Sequence, residues 1–218
     1  MKIQLSLDFI ELEDAFLLSD RISHMIDIIE FGTPFLINYG APVMRLFRDK
    51  YENIFLADSK IIDGGYKESL KLFDYGADIV TALSHSSYKT LEGVSNASEE
   101  KNKGFMIDFI QDEITEGKIK EFEKLNPEYF CVHSSNDLRN IRNPYNDLKK
   151  IKKVNTLVKI AVAGGLNLVN LPNIIELVPD LLIIGGTITN SNDPADVIHK
   201  IKGLIEDGNK ESKKRNPG

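Results

Sequence analysis

Eight short apolar runs, each followed by a longer stretch with helical period, constrain this chain more than any single motif in it. The strand-like runs are Ile3–Phe9, Met25–Phe31, Asn53–Ala57, Asp78–Leu83, Gly104–Phe109, Tyr129–His133, Val158–Ala163 and Leu181–Gly185. Amphipathic stretches near 11–23, 40–50, 65–75, 87–102, 115–125, 145–154, 170–177 and 194–206 separate and follow them. Eight strand–helix units in 218 residues predict a compact (β/α)8 TIM barrel. A doubly wound open sheet is the alternative, and it leaves the polar residues that finish nearly every strand without a reason.

Those strand ends are Asp8, Glu30, Asp58 with Lys60, Ser84-His85, Asp108, His133, Gly164-Gly165 and Gly185-Gly186. In a barrel the carboxyl ends of all strands open on one mouth, so these residues become neighbours. Strand alternation places Ser6 with Asp8, Ile28 with Glu30, Leu56 with Asp58, Met106 with Asp108 and Cys131 with His133 on shared faces. Ionisable groups are seldom buried without partners, so five such ends predict an active site.

The densest segment is Ala57-Asp58-Ser59-Lys60-Ile61-Ile62-Asp63-Gly64-Gly65. Asp58 and Lys60, two apart, share a face, and Asp63 falls in the following turn. Flanking carboxylates keep the lysine protonated, and the lysine keeps them ionised. Such a group can hold a metal and stabilise or protonate a carbanion. Glu30 and Asp58, on adjacent strands, offer two hard oxygen ligands and leave room for water and a substrate diol, which favours Mg²⁺ over zinc. A salt bridge to Lys60 is the other reading of Glu30. His133 ends a buried strand and is the residue type suited to proton transfer at neutral pH, with Asp108 on the preceding strand end to orient it.

Paired glycines follow the seventh and eighth runs, in Ala163-Gly164-Gly165 and Gly185-Gly186-Thr187. Glycine lets backbone N–H groups approach an anion, and the last two loops of a barrel are a common phosphate site. No Gly-x-Gly-x-x-Gly turn or Walker loop is present, so neither a dinucleotide nor a nucleoside triphosphate is expected. The net charge of −6 argues against nucleic acid or an anionic membrane as the main partner. Early charge in Met1-Lys2 and the absence of a long apolar run predict a cytoplasmic protein, and the single cysteine, Cys131, excludes an internal disulfide. Residues 1–206 are expected to form one domain, and the polar stretch 207–218 to be disordered.

The ordered series Gln4-Leu5-Ser6-Leu7-Asp8, Ile28-Ile29-Glu30-Phe31-Gly32-Thr33-Pro34, Asp58-x-Lys60-x-x-Asp63, Cys131-Val132-His133, Ala163-Gly164-Gly165 and Gly185-Gly186-Thr187-Ile188-Thr189 resembles the 3-hexulose-6-phosphate synthase family. That family lies within the group that also holds orotidine monophosphate decarboxylase and 3-keto-L-gulonate-6-phosphate decarboxylase. The resemblance implies a barrel of the ribulose-phosphate-binding type. It also implies a Mg²⁺-dependent enzyme that joins ribulose 5-phosphate to formaldehyde through an enediolate. In that picture Glu30 and Asp58 are metal ligands, and Asp8 bonds substrate or lysine. Lys60 and Asp63 form the catalytic pair, with Asp63 reaching the neighbouring site of a homodimer. His133 moves the proton, and the glycine pairs with Ala163 and Thr187 cradle phosphate. The keto-gulonate decarboxylases resemble the chain elsewhere but typically carry Glu at Asp108, Arg near Asn136, Thr at Ala163 and Arg at Gly186. Decarboxylation and an inactive sugar-phosphate-binding barrel are the competing expectations.

Overall fold

The eight runs form eight strands, β1 Lys2–Leu7, β2 Ile28–Phe31, β3 Ile54–Ile61, β4 Ile79–Leu83, β5 Gly104–Asp108, β6 Tyr129–His133, β7 Lys159–Ala163 and β8 Leu181–Ile184. The computed structural model describes residues 1–135, 137 and 144–215, with side chains through 210. All neighbours are parallel, and β8 pairs with β1 to close the barrel. The helices are α1 Leu12–Ile22, α2 Thr33–Tyr39, α3 Val43–Arg48, α4 Gly65–Asp74, α5 Tyr88–Lys101, α6 Glu116–Glu123, α7 Pro144–Ile151, α8 Leu171–Ile175, α9 Gly186–Thr189 and α10 Pro194–Arg215. No helix among the described residues is long and apolar enough to cross a membrane.

Period-two alternation sorts each strand between two cores. Ile28, Leu56, Ile79, Met106, Tyr129 and Leu181 point inward and fill the barrel. Ile29, Phe55, Val80, Ile107, Phe130 and Leu182 point outward against the helices. Each face buries apolar area, which explains why the strands read as nearly continuous apolar runs. Where side chains supply helix starts they do so in the ordinary way: Ser87 Oγ accepts the Thr90 N–H at 3.1 Å before α5, and Thr115 Oγ1 accepts the Lys118 N–H at 3.3 Å before α6.

Four features differ from the sequence reading. The second strand begins at Ile28, because Ser23–Met25 forms a 3-10 turn whose first carbonyl accepts the Ile26 N–H at 3.4 Å. The third strand passes Ala57 and carries Asp58 and Lys60 to Ile61, with a register shift against β4. Two short helices, α2 and α9, occupy the loops after β2 and β8. Finally, the chain stays helical to Arg215 where disorder from 207 was expected. The close seat of Gly208 on α8 explains part of that continuation: a Cβ there would lie 2.5 Å from Ile175 Cγ2. Lys210 also donates to Asp207 at 3.1 Å on the exposed side, an i,i+3 pair. Residues 216–218 lie outside the described residues.

Candidate active site

The polar strand ends line one cavity of about 460 Å³ at the carboxyl mouth of the barrel. Asp8, Glu30, Asp58, Lys60, Asp108 and His133 all face it, and so do Ala163, Gly164, Gly165, Gly185, Gly186 and Thr187. Asp63 does not. It is exposed in the turn after β3, where its Oδ1 accepts the Gly64 N–H at 2.7 Å. Ser84 and His85 are also placed elsewhere. Ser84 is buried and donates to Asp112 at 2.6 Å, His85 is exposed, and β4 sends Thr81 into the cavity instead.

Lys60 is the hub. Its Nζ donates to Asp58 Oδ1 at 2.9 Å and Oδ2 at 2.8 Å, and to Asp108 Oδ2 at 3.3 Å. Burial alone would depress the lysine pKa, but Asp58 and Asp108 outweigh it and hold the ammonium well above its ordinary range. Asp58, 7% exposed, also accepts from Thr33 Oγ1 at 2.9 Å and Thr81 Oγ1 at 2.9 Å. The Thr33 hydroxyl also lies 2.6 Å from the Asp58 carbonyl oxygen, so its one proton is shared and the carboxylate keeps acceptor capacity on Oδ2. Asp108, 2% exposed, pairs through Oδ2 with His133 Nδ1 at 2.9 Å and accepts the Ile110 N–H through Oδ1 at 2.9 Å. Burial pushes its pKa up, but His133 and Lys60 more than reverse that, so Asp108 stays an anion below the usual carboxylate range. Its contact fixes the imidazole and leaves Nε2 without a hydrogen-bond partner among the described residues.

The other side of the cavity has the opposite imbalance. Glu30, 6% exposed, takes one hydrogen bond among the described residues, from Gln4 Nε2 at 2.6 Å. Burial first, then Asp58 and Asp8, push its pKa well above the ordinary value. Asp8 is raised too, chiefly by burial and then by Asp58, although the Ser6 hydroxyl at 3.3 Å opposes this. Gly32 and Gly185 make room for Asp8: a Cβ on Gly32 would lie 3.0 Å from Asp8 Cγ, and one on Gly185 would lie 3.3 Å from Oδ2. Three carboxylates here share one ammonium, which itself leans on Asp58 and Asp108. The donor set fits a hard divalent cation, which would relieve the repulsion that raises Glu30.

Another trio, Asp108, Cys131 and His133, has ligand atoms within 4.8 Å of one another. It suits a hard cation poorly. Burial, then Asp108 and Glu30, push the Cys131 thiol well up, so it stays protonated, and Asp108 already faces the Lys60 ammonium.

Opposite the carboxylates, the two glycine segments meet. Gly164 and Gly165 take φ of 97° and 68°, a left-handed backbone that side chains disfavour. A side chain at Gly164 would also strike the backbone of Ser134. Thr187 Oγ1 donates to Leu166 O at 2.7 Å and ties the two loops together. The first N–H groups of α9 have no partner within the helix, and the residues that carry them, Gly186 and Thr187, line the same space. Among the described residues, Lys60 is the one Lys or Arg that lines the cavity, so among them an anion held by the glycine loops would rest mainly on backbone N–H groups.

Sequence reasoning missed Gln4, Thr33, Thr81, Asn167 and Asn190, all of which line the cavity. Gln4 shares the inward face with Ser6 and Asp8, so alternation alone could have found it. Thr81 is an ordinary strand residue by composition and carries no such signal. Asn136 lies outside the described residues.

Comparison with known proteins agrees with this geometry. A protein from Bacillus subtilis named 3-hexulose-6-phosphate synthase is 35% identical over 210 residues, spanning 95% of this chain and all of its own. The crystal structure of 3-hexulose-6-phosphate synthase from Salmonella typhimurium superposes with a TM-score of 0.91 at 36% identity, over 95% of this chain and 100% of that one. The crystal structure of 3-keto-L-gulonate-6-phosphate decarboxylase from Vibrio cholerae, 20% identical with a TM-score of 0.82 over 94% of this chain and 97% of that one, shares the fold. With residues 1–201 matching its family model as well, the chain belongs to the orotidine 5'-phosphate decarboxylase / HUMPS family.

Proposed function

We propose that this chain acts as a 3-hexulose-6-phosphate synthase, an aldehyde-lyase that reversibly joins ribulose 5-phosphate and formaldehyde. The observation that carries this reading is Lys60 held between Asp58 and Asp108, with His133 on Asp108 and two glycine loops across the same cavity. The nearly full-length likeness to proteins named for this activity supports it.

The phosphate rests on backbone N–H groups of Gly165, Gly186 and Thr187, which places the sugar carbons over the carboxylates. A Mg²⁺ held by Glu30 and Asp58 would supply Lewis-acid stabilisation of negative charge on the substrate oxygens. Nε2 of His133 takes a proton from C1, and the electron pair of that C–H bond becomes the enediolate. Asp108 holds the imidazole and balances its charge as the proton arrives. The Lys60 ammonium stabilises the developing oxyanion, and Asp8 accepts a substrate hydroxyl hydrogen. C1 then forms the new carbon–carbon bond with formaldehyde, whose carbonyl pair moves to oxygen and collects the proton from His133. The free protein is cytoplasmic in this reading, its barrel is one domain, and it works as a homodimer in which Asp63 completes the partner's site. The exposure of Asp63 outside its own cavity supports that last point.

Formaldehyde consumption with ribulose 5-phosphate, with Mg²⁺ and with chelator, tests the assignment. Turnover that requires the metal, together with exchange of the C1 hydrogen in deuterated solvent without formaldehyde, is the expected result. Turnover of 3-keto-L-gulonate 6-phosphate in place of ribulose 5-phosphate would make the chain a decarboxylase. Ligand-dependent thermal stabilisation without any turnover would make it a binding barrel.

A further inference from the structure

Lys60 has a backbone that its side chain disfavours. Its φ is 47°, and of the non-glycine residues with positive φ among those described it is the one that lines the cavity. The cause lies in the ladder between β3 and β4. Ala57 pairs with Val80 and Ile61 with Ala82, so four steps along β3 are set against two along β4. The surplus bulges out around Asp58, Ser59 and Lys60. A non-glycine residue persists in such a conformation only when its surroundings over-determine it.

The surroundings here converge on one residue of β4. Thr81, 2% exposed, accepts the Lys60 N–H on its Oγ1 at 2.9 Å. The same oxygen lies 2.9 Å from Asp58 Oδ1. A hydroxyl has one proton, and the Lys60 N–H already occupies an acceptor position, so the Thr81 proton points at the carboxylate. Ser59 Oγ adds a strut to the Thr81 carbonyl at 3.0 Å. The hydroxyl thus ties the backbone of the lysine to the side chain of the aspartate that the lysine grips. Packing alone would be served equally by valine, which has the same shape and no hydroxyl.

We propose that Thr81 is a positioning residue. Its hydroxyl locks the left-handed bulge at Lys60 to the Asp58 carboxylate, and so delivers the ammonium between Asp58 and Asp108. Its effect on turnover rests on the function proposed above; its effect on geometry does not.

The test compares Thr81→Val with Thr81→Ser. Misplacement by about 1 Å costs on the order of 10²-fold in rate, so the valine variant should lose about that much kcat with KM for ribulose 5-phosphate close to unchanged. The serine variant, which keeps the hydroxyl, should return kcat to within a few-fold of the native value. Melting curves establish that both variants are folded; if the valine variant is not, Thr81→Ala takes its place with the same readouts. A crystal structure of the hydroxyl-free variant should show Lys60 out of the left-handed region and its contact with Asp108 lost. Native kcat in that variant, or a crystal structure with Lys60 unmoved, would overturn the proposal. If the native protein turns over no formaldehyde, the assigned function fails, and the variant's structure still decides the role of Thr81.

Discussion

Glu30→Gln separates the two readings of Glu30 because they move stability in opposite directions. The substitution keeps the shape, removes the charge, and lets the new amide oxygen still accept the hydrogen bond from Gln4. Burial, Asp58 and Asp8 raise the Glu30 pKa well above its ordinary 4.5. A raised carboxyl contributes stability that is fully present below the ordinary value and lost as pH climbs through the folded-state value. At neutral pH and without metal, Glu30 therefore weakens the fold. Glu30 pairs with Leu56, so Asp58 is its diagonal neighbour on the next strand, and two like charges at the roughly 7 Å typical of that spacing repel by roughly 2 kcal/mol at an effective dielectric near 20. Replacing a charged acceptor with a neutral one gives back about 0.5–1 kcal/mol of the Gln4 bond. The net gain is about 1–2 kcal/mol, or roughly 2–8 °C in melting temperature for a chain of this size.

Thermal melts in chelator at pH 7–8 should therefore place Glu30→Gln above the native protein. Titration with Mg²⁺ should invert the order. At a hundredfold excess over Kd the native protein gains about 2.7 kcal/mol, and the variant, with a ligand missing, gains far less. A salt bridge between Glu30 and Lys60 predicts the reverse in chelator, since breaking it costs stability. A variant that melts lower than native without metal, or one that shows the full native response to Mg²⁺, refutes the reasoning. The geometry already leans one way, because the Lys60 ammonium bonds Asp58 and Asp108.

In the proposed homodimer, Asp63 and Lys60 should complement each other across the interface. Lys60→Ala and Asp63→Ala proteins are each expected to be inactive, and an equilibrated mixture to regain about a quarter of native turnover, because half the dimers form hybrids with one complete site; a mixture that exchanges subunits and stays inactive would rule this out. Acid titration should reveal Asp108. Its pKa is lowered from 3.8, so its contribution is present above that value and is lost as pH falls through the folded-state value. Urea midpoints followed from about pH 5 to pH 2 should fall less steeply for Asp108→Asn than for the native protein, and identical slopes would show that the residue carries no such linkage.

The barrel was legible because its period is written twice, once in the strands and once in the helices. The inward sets read by alternation, from Ser6 with Asp8 to Cys131 with His133, face the cavity or the core within the barrel as expected. What sequence could not show falls into two kinds. Loop helices such as α2 and α9 are too short to carry a period, and Gly185-Gly186 reads as a turn whether or not a helical turn follows. Bridging residues such as Thr33 and Thr81 are invisible for a different reason. A threonine in a strand is favoured by β propensity alone, and its function here comes from a register shift that exists only once β3 and β4 are paired. The reading of β4 failed at the same place. Ser84-His85 end the strand in sequence, but the polar side chain that reaches the cavity is Thr81.

The floor of the barrel explains why the charge imbalance gathers at Glu30 rather than spreading. Ile28, Leu56, Ile79, Met106, Tyr129 and Leu181 fill the interior below and wall the polar ring off with apolar side chains on that side. Ladder register pairs Glu30 with Leu56 and Ser6, so Asp58 and Asp8, two residues further along their strands, sit nearer the mouth. Glu30 therefore lies beneath both acids and against the apolar floor, where the dielectric is lowest and each carboxylate above it adds to the repulsion. Lys60 reaches up and across to Asp108, and cannot also neutralise that depth. A compact cation entering from the mouth can. In the proposed reaction the same geometry would leave the sugar phosphate to the glycine loops opposite, where backbone dipoles could hold an anion without placing a second ammonium in the site and drawing Asp58 away from Lys60.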